Sequence, residues 1–206
     1  MFGSRLLKAL AFTAALGLNT VAPVAQAALA GGSGTVQGLY DALLSTMKSG
    51  GTLGGSGRFA KLAPVIRSSF DVASMARLSV GTSWSGLSEA QRQQVTESYG
   101  RYISAIYADR FDSYAGQRLE VTGEQPAPFG LLVKSRIIKS NGEPVEVDYA
   151  MRQNGESWLI ADIYLSEVTA RRSEFAAILK TQGIDGLIAA LNRKADMLTG
   201  TTARSF

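Results

Sequence analysis

Apolar residues recur at intervals of three and four along Val36, Leu39, Leu43 and Met47. This period predicts a helix capped by Thr35, after a flexible lead over residues 28–34. Residues 50–57 (GGTLGGSG) hold five glycines in eight positions and are expected to form a mobile loop. Residues 58–69 return to a helical pattern, with Pro64 ending or kinking it. Asp71 is a good N-cap for a short helix through Val80, closed by Gly81. Ser88 and Gln91 have capping-box spacing and open the longest helix, expected to reach Tyr114. Val95, Tyr99, Tyr102, Ile103, Ile106, Tyr107 and Phe111 form a broad apolar stripe on it.

The period then falls to two. Residues 116–122 read as a first strand and residues 131–139 as a second, after the break at Pro126-Ala127-Pro128. Asn141-Gly142 is a hairpin signal. The third strand, 143–153, alternates Val145, Val147, Tyr149 and Met151 with Glu146, Asp148 and Arg152. Asn154-Gly155 turns the chain again into a fourth strand, 158–165. Helical spacing returns over 168–180, Gly183 stops it, and a last helix runs over 184–197 before a polar tail. Helices, then strands joined by tight turns, then helices define an α+β class with a four-stranded antiparallel sheet covered by helices.

Composition narrows the chemistry. Among 206 residues there is no His and no Cys, which removes Ser-His triads, Cys nucleophiles, His- or Cys-ligated zinc and disulfides. Hydrophobic residues make up 46% and charged residues 18%, enough apolar material for a core. The formal net charge of +4 is a weak nucleic-acid signal, and no nucleic-acid partner is expected. Residues 1–27 read as a secretory signal peptide. Arg5 and Lys8 precede a ten-residue apolar run, and Ala25-Gln26-Ala27 offers a cleavage site after Ala27. That run is shorter than the roughly 20 residues a membrane span needs. A cysteine-free chain with a bacterial-type signal fits the periplasm.

Catalytic motifs are weak. Gly81-Thr82-Ser83-Trp84-Ser85 lacks the closing glycine of a nucleophile elbow. The carboxylate pairs Asp109/Asp112 and Glu146/Asp148 read as solvated faces, as do Lys134, Arg136 and Lys139 on the second strand. The same basic residues, with Arg171-Arg172, are candidates for holding a phosphate head group or an acidic protein surface. Tyr99, Tyr102, Tyr107, Phe111 and Tyr114 crowd one helix, with Phe70, Trp84, Tyr149 and Trp158 on elements expected nearby. Two readings of these aromatics stand: an ordinary core, or a wall around an apolar ligand.

Residues 70–78 (FDVASMARL) resemble the F-D-x-x-x-M-A-R segment of the MlaC-type proteins, also called toluene-tolerance proteins. Further matches follow in order: Tyr107-Ala108-Asp109-Arg110-Phe111, Gly142-Glu143-Pro144 with Val147-Asp148-Tyr149, Trp158 with Asp162, Arg172-Ser173-Glu174-Phe175, and residues 183–188 (GIDGLI). The resemblance covers residues 58–197, and residues 111–116 and 187–196 are similar to the hopanoid-biosynthesis-associated, HpnM-like branch. It implies a nuclear-transport-factor-like fold with an apolar cavity between sheet and helices. It implies a non-enzymatic periplasmic shuttle, with no cofactor, that serves an inner-membrane ABC transporter and an outer-membrane lipoprotein complex. The cargo would be phospholipid or, in that branch, a hopanoid-type lipid. About one helical turn of the family pattern is missing between Leu165 and Arg171, which puts head-group contacts there in question.

On that basis the domain order is a signal peptide (1–27), an N-terminal helix and glycine-rich loop (28–57), a lipid-binding domain (58–197) and a tail (198–206). The expected wall residues are Phe70, Met75, Leu78, Trp84, Ile103, Tyr107, Val145, Val147, Tyr149, Trp158 and Ile160. Arg136, Arg171 and Arg172 are the expected head-group or partner contacts. The competing readings are a lipid-free interaction module of a hopanoid biosynthesis or transport complex and, more distantly, a Ser-Lys or carboxylate hydrolase.

Overall fold

The computed structural model describes residues 31–164 and 169–200, the side chains of 169–173 excepted. The signal-peptide residues, the shortened segment at 165–168 and the end of the tail lie outside the described residues. The element order is α1 (Gly32–Lys48), α2 (Gly50–Ser69), α3 (Val72–Val80), a 3-10 turn (Gly81–Gly86), α4 (Glu89–Arg110), β1 (Arg118–Ala127), β2 (Gly130–Ile138), β3 (Pro144–Asn154), β4 (Ser157–Tyr164) and α5 (Thr169–Thr199). The strands form one sheet in the order β1-β2-β3-β4, every pair antiparallel.

Five local expectations need correction. First, α1 starts at Gly32, so Thr35 lies inside the helix and caps nothing. Its hydroxyl instead donates to the Trp158 carbonyl (2.7 Å), and the helix start is satisfied by Ser33 N–H donating to the Glu124 carboxylate (2.8 Å). An acceptor arriving from β1 does the work of a local cap. Second, the glycine-rich stretch is helical. α2 begins at Gly50 and bends at Gly54, whose φ of 61° only glycine takes easily. A Cβ at Gly50 would lie 1.7 Å from the Asp112 carbonyl oxygen, and one at Gly55 2.8 Å from that of Thr199. These glycines let a helix touch the backbones after α4 and at the end of α5.

Third, α2 runs on through Pro64 to Ser69. Fourth, α4 stops at Arg110, short of Tyr114, which is exposed beneath the Lys48 ammonium. Fifth, β1 is longer than expected and includes Pro126. It is an edge strand, where a missing N–H costs no ladder bond. The break at Gly183 (φ 65°) divides α5 into two helical limbs, as its glycine signals.

Two caps were legible and are present. Ser88 and Gln91 form the reciprocal capping box of α4. Asp71 accepts from Ser74 N–H (3.0 Å) at the start of α3 and lies 3.6 Å from Arg152 of β3. The Asp71 backbone N–H donates to the Ile160 carbonyl (2.9 Å), tying α3 to the sheet independently of the side chain. Asp71→Ala should therefore loosen α3 without detaching it. The expected loss is about 1 kcal/mol, read as a fall in Tm of about 2–4 °C.

The hydrophobic interior falls into two clusters. α1 lies on β1, β2 and β4, and its stripe (Val36, Leu39, Tyr40, Leu43) packs with Leu62, Ile66, Phe70, Val133, Met151 and Ile160. The second cluster joins α3, α4 and α5 through Val80, Val95, Tyr102, Phe175, Leu187 and Leu191. The long helix thus covers the sheet less closely than its length suggests, because α4 packs chiefly on α2, α3 and α5.

Candidate functional site: an apolar cavity at the seam of two cores

Between these clusters lies a cavity of about 190 Å³. Tyr99, Tyr102, Ile103, Ile106 and Tyr107 line it from α4, Met75, Leu78 and Ser79 from α3, and Phe175 from α5. The sheet contributes Ile137, Val147, Tyr149, Ala161, Asp162 and Ile163, and Phe111 and Arg110 line it from the end of α4. Val147 and Tyr149 are buried at the inner wall, whereas Leu78 (63% exposed) and Arg110 stand at the mouth.

Six of the eleven expected wall residues are in the wall: Met75, Leu78, Ile103, Tyr107, Val147 and Tyr149. The other five are not. Phe70 and Ile160 are buried in the main core, joined by a parallel bridge, and the Phe70 ring meets Tyr107 edge-on from behind (5.6 Å). Trp84 packs on the helical cluster under the Arg92 guanidinium (5.9 Å). Trp158 and Val145 are half-buried against the main core, with Trp158 close to Gly130.

The placing of Ile163 in the wall has a local cause. The β3–β4 register shifts between Ala150 and Met151, so Met151 faces Ile160 while Ala150 faces Asp162. The extra residue re-aims the strand. Ile163, opposite Tyr149, then lies in the wall where strict alternation from Ile160 would have placed it outside. Ile137 was available from the alternation Val133, Ser135, Ile137. Tyr99, Tyr102 and Phe111 belong to the aromatic crowd already visible on the long helix. Phe175 depends on how α5 returns across α4, which no local pattern encodes.

Arg136 lies on the other face of the sheet. Val133 and Ser135 are buried and Ile137 faces the cavity, so Lys134 and Arg136 point away from it. Arg136 pairs with Glu120 (2.8 Å) and Lys134 with Asp148 (3.2 Å), so a head group at the cavity mouth is out of its reach. The side chains of Arg171 and Arg172 lie outside the described residues. Asp109 is exposed at the end of α4, and Glu146 and Asp148 sit on the outer sheet face.

Three buried tyrosines lie at the inner wall, Tyr107 and Tyr149 in its lining and Tyr40 outside it against Tyr149. Tyr40 of α1 hydrogen-bonds Ser135 (2.6 Å), whose hydroxyl donates to the Val147 carbonyl. The Tyr149 ring meets the Tyr40 ring edge-on, with centroids 6.1 Å apart. Burial pushes all three phenols above the ordinary tyrosine range, so they stay protonated and neutral. The wall is thus predominantly hydrocarbon and aromatic, and includes the buried, neutral phenols of Tyr107 and Tyr149.

Fold and site together define an α+β domain whose antiparallel sheet and helices enclose an apolar cavity. The chain belongs to the MlaC protein family, whose model matches residues 37–193. Its fold is similar to that of a phospholipid-binding protein from Ralstonia solanacearum, solved in complex with a phospholipid. The TM-score is 0.67 at 23% identity, over 82% of this chain and 99% of that one.

Proposed function

We propose that this protein is a non-enzymatic periplasmic lipid carrier, taking phospholipid or a hopanoid-type lipid between membranes as the soluble part of an ABC transport system. The single observation that carries this reading is an apolar cavity at the seam of two separate cores in a member of the MlaC family. The phospholipid held by the Ralstonia protein of the same fold supports the cargo class.

The physics sets the demand. Two acyl chains with about 30 methylenes lose roughly 24 kcal/mol on entering water, at about 0.8 kcal/mol per buried CH₂. A carrier must replace most of that with its own walls, and uptake from a membrane is then near neutral. A cavity of about 190 Å³ is only modestly larger than one of about 150 Å³ that admits benzene. Loading therefore requires the sheet-and-α1 core and the α3–α5 core to separate along their seam. The head group would remain outside, at the mouth beside Leu78 and Arg110. Direction would come from a partner with ATPase activity.

Incubation with phosphatidylglycerol vesicles, removal of the vesicles and a phosphorus assay test the reading. Close to one phospholipid per chain is expected. Protein that leaves the vesicles without phosphorus would support a lipid-free interaction module instead.

A further inference from the structure

α4 also borders a second hollow, a groove of about 310 Å³ against α5. The break at Gly183 shapes it. Glu174 and Lys194 would stand about 30 Å apart on a straight helix, yet their side chains pair at 2.9 Å because the two limbs of α5 fold back on each other. Tyr102, Ile106 and Leu198 give the groove apolar lining, and Asp109, Arg110, Glu174 and Lys194 give it two charges of each sign. Tyr102, Ile106 and Arg110 line the apolar cavity as well. Spaced four apart, they form one row along α4, and this row is the partition between the two hollows. Tyr102 is buried, its ring edge-on to Phe175 (5.7 Å), whereas Ile106 is half-buried and Arg110 exposed. The partition is therefore shut at Tyr102 and reaches solvent at Arg110, where the cavity has its mouth.

We infer that the groove between α4 and α5 seats a zwitterionic lipid head group, whose acyl chains occupy the cavity on the other side of the Tyr102–Ile106–Arg110 row. This inference rests on the cavity being a lipid site, as proposed above, and names the head-group class that site prefers. A lipid with its chains in the cavity emerges at Arg110, and the groove begins at the same residue. An aminophospholipid head group carries one phosphate and one ammonium. The phosphate meets the cations Arg110 and Lys194, and the ammonium meets the carboxylates Asp109 and Glu174. The charges of groove and head group then balance separately and together. An anionic head group such as phosphatidylglycerol brings the phosphate alone and adds a net negative charge beside two carboxylates.

The test offers the full exported chain vesicles of phosphatidylethanolamine and phosphatidylglycerol in equal amounts, both with dioleoyl chains, so that only the head groups differ. After the vesicles are removed, mass spectrometry of the extracted protein gives the ratio of bound lipids. Glu174 and Lys194 are partly exposed (side chains 45% and 30%), so a contact there is worth about 1 kcal/mol at most. The expected excess of phosphatidylethanolamine is about fivefold, which is that energy converted. Asp109→Asn with Glu174→Gln leaves the groove cationic and should turn the preference toward phosphatidylglycerol. Asp109→Asn alone, at an exposed position, should already narrow the ratio and serves if the double variant does not fold. Glu156→Gln, in the turn between β3 and β4 and in neither lining, makes the same kind of charge change and should keep the native ratio. Bound lipids in the proportion of the vesicles would overturn the inference while leaving the lipid site standing. A ratio that the groove variants do not move, or that Glu156→Gln moves as much, would overturn it too. If neither lipid is bound, the carrier reading fails and this inference with it.

Discussion

Replacing Val147 with glutamate should strip the protein of co-purifying lipid. Val147 is 4% exposed, sits on the cavity wall of β3 and faces Ser135 across the strand pair. A carboxylate there has hydrocarbon and aromatic neighbours and no cation from the sheet face it shares. Ionised, it carries an unpaired buried charge that costs several kcal/mol. Protonated, it avoids that charge by raising its pKa far above the usual carboxylate range. Either way stability falls by about 3 kcal/mol or more, and the apolar slot is broken. Lipid measured by organic extraction and mass spectrometry should drop to background in the fraction that retains a native circular-dichroism spectrum. Val147→Phe separates the two effects. It adds apolar volume to the same wall, should hold or raise stability by about 0.5–2 kcal/mol as cavity-filling changes do, and should lose lipid as well. A folded variant that keeps its lipid would remove Val147 from the wall.

The second large effect concerns the glycines. Gly50→Ala should be one of the most damaging methyl additions in the chain, because its Cβ would fall 1.7 Å from the Asp112 carbonyl oxygen. Backbone cannot swing aside as a side chain can, so the start of α2 and the segment after α4 must part. The cost is expected near the upper end of overpacking, about 3 kcal/mol, or a fall in Tm of about 6–12 °C. Its neighbour behaves oppositely. Gly51 meets nothing within 4 Å of an added Cβ and is an exposed helical position. Gly51→Ala should gain up to about 0.8–1 kcal/mol of helix propensity. A mobile loop would leave both substitutions silent, so thermal melts of the two variants discriminate sharply.

These glycines show where sequence reasoning stops. The apolar stripe of α1, the alternation of β3, the Asp71 cap and the Ser88–Gln91 box are local signals, and the structure contains each of them. The glycine-rich segment carried a local signal for a loop. What decided its conformation was a close approach to backbones at Asp112 and Thr199, far away in sequence. The site divides along the same line. Met75, Ile103, Tyr107, Val147 and Tyr149 could be placed because their helix and strand faces follow from spacing. Phe70 and Ile160 carry the same local marks yet serve the core, where Ile160 pairs with Met151 and bridges Phe70, while the β3–β4 bulge brings Ile163 to the cavity. Arg136 shows that charge alone does not give a face. Its alternation with Ser135 and Ile137 put it outside, where Glu120 holds it.

Native mass spectrometry of the protein purified from an exporting host, with organic extraction of the same sample, tests the central claim most directly. The carrier reading requires each chain to run heavier by the mass of one lipid, which collisional activation then releases. A bare polypeptide mass, an empty extract and no lipid gained from vesicles would contradict it.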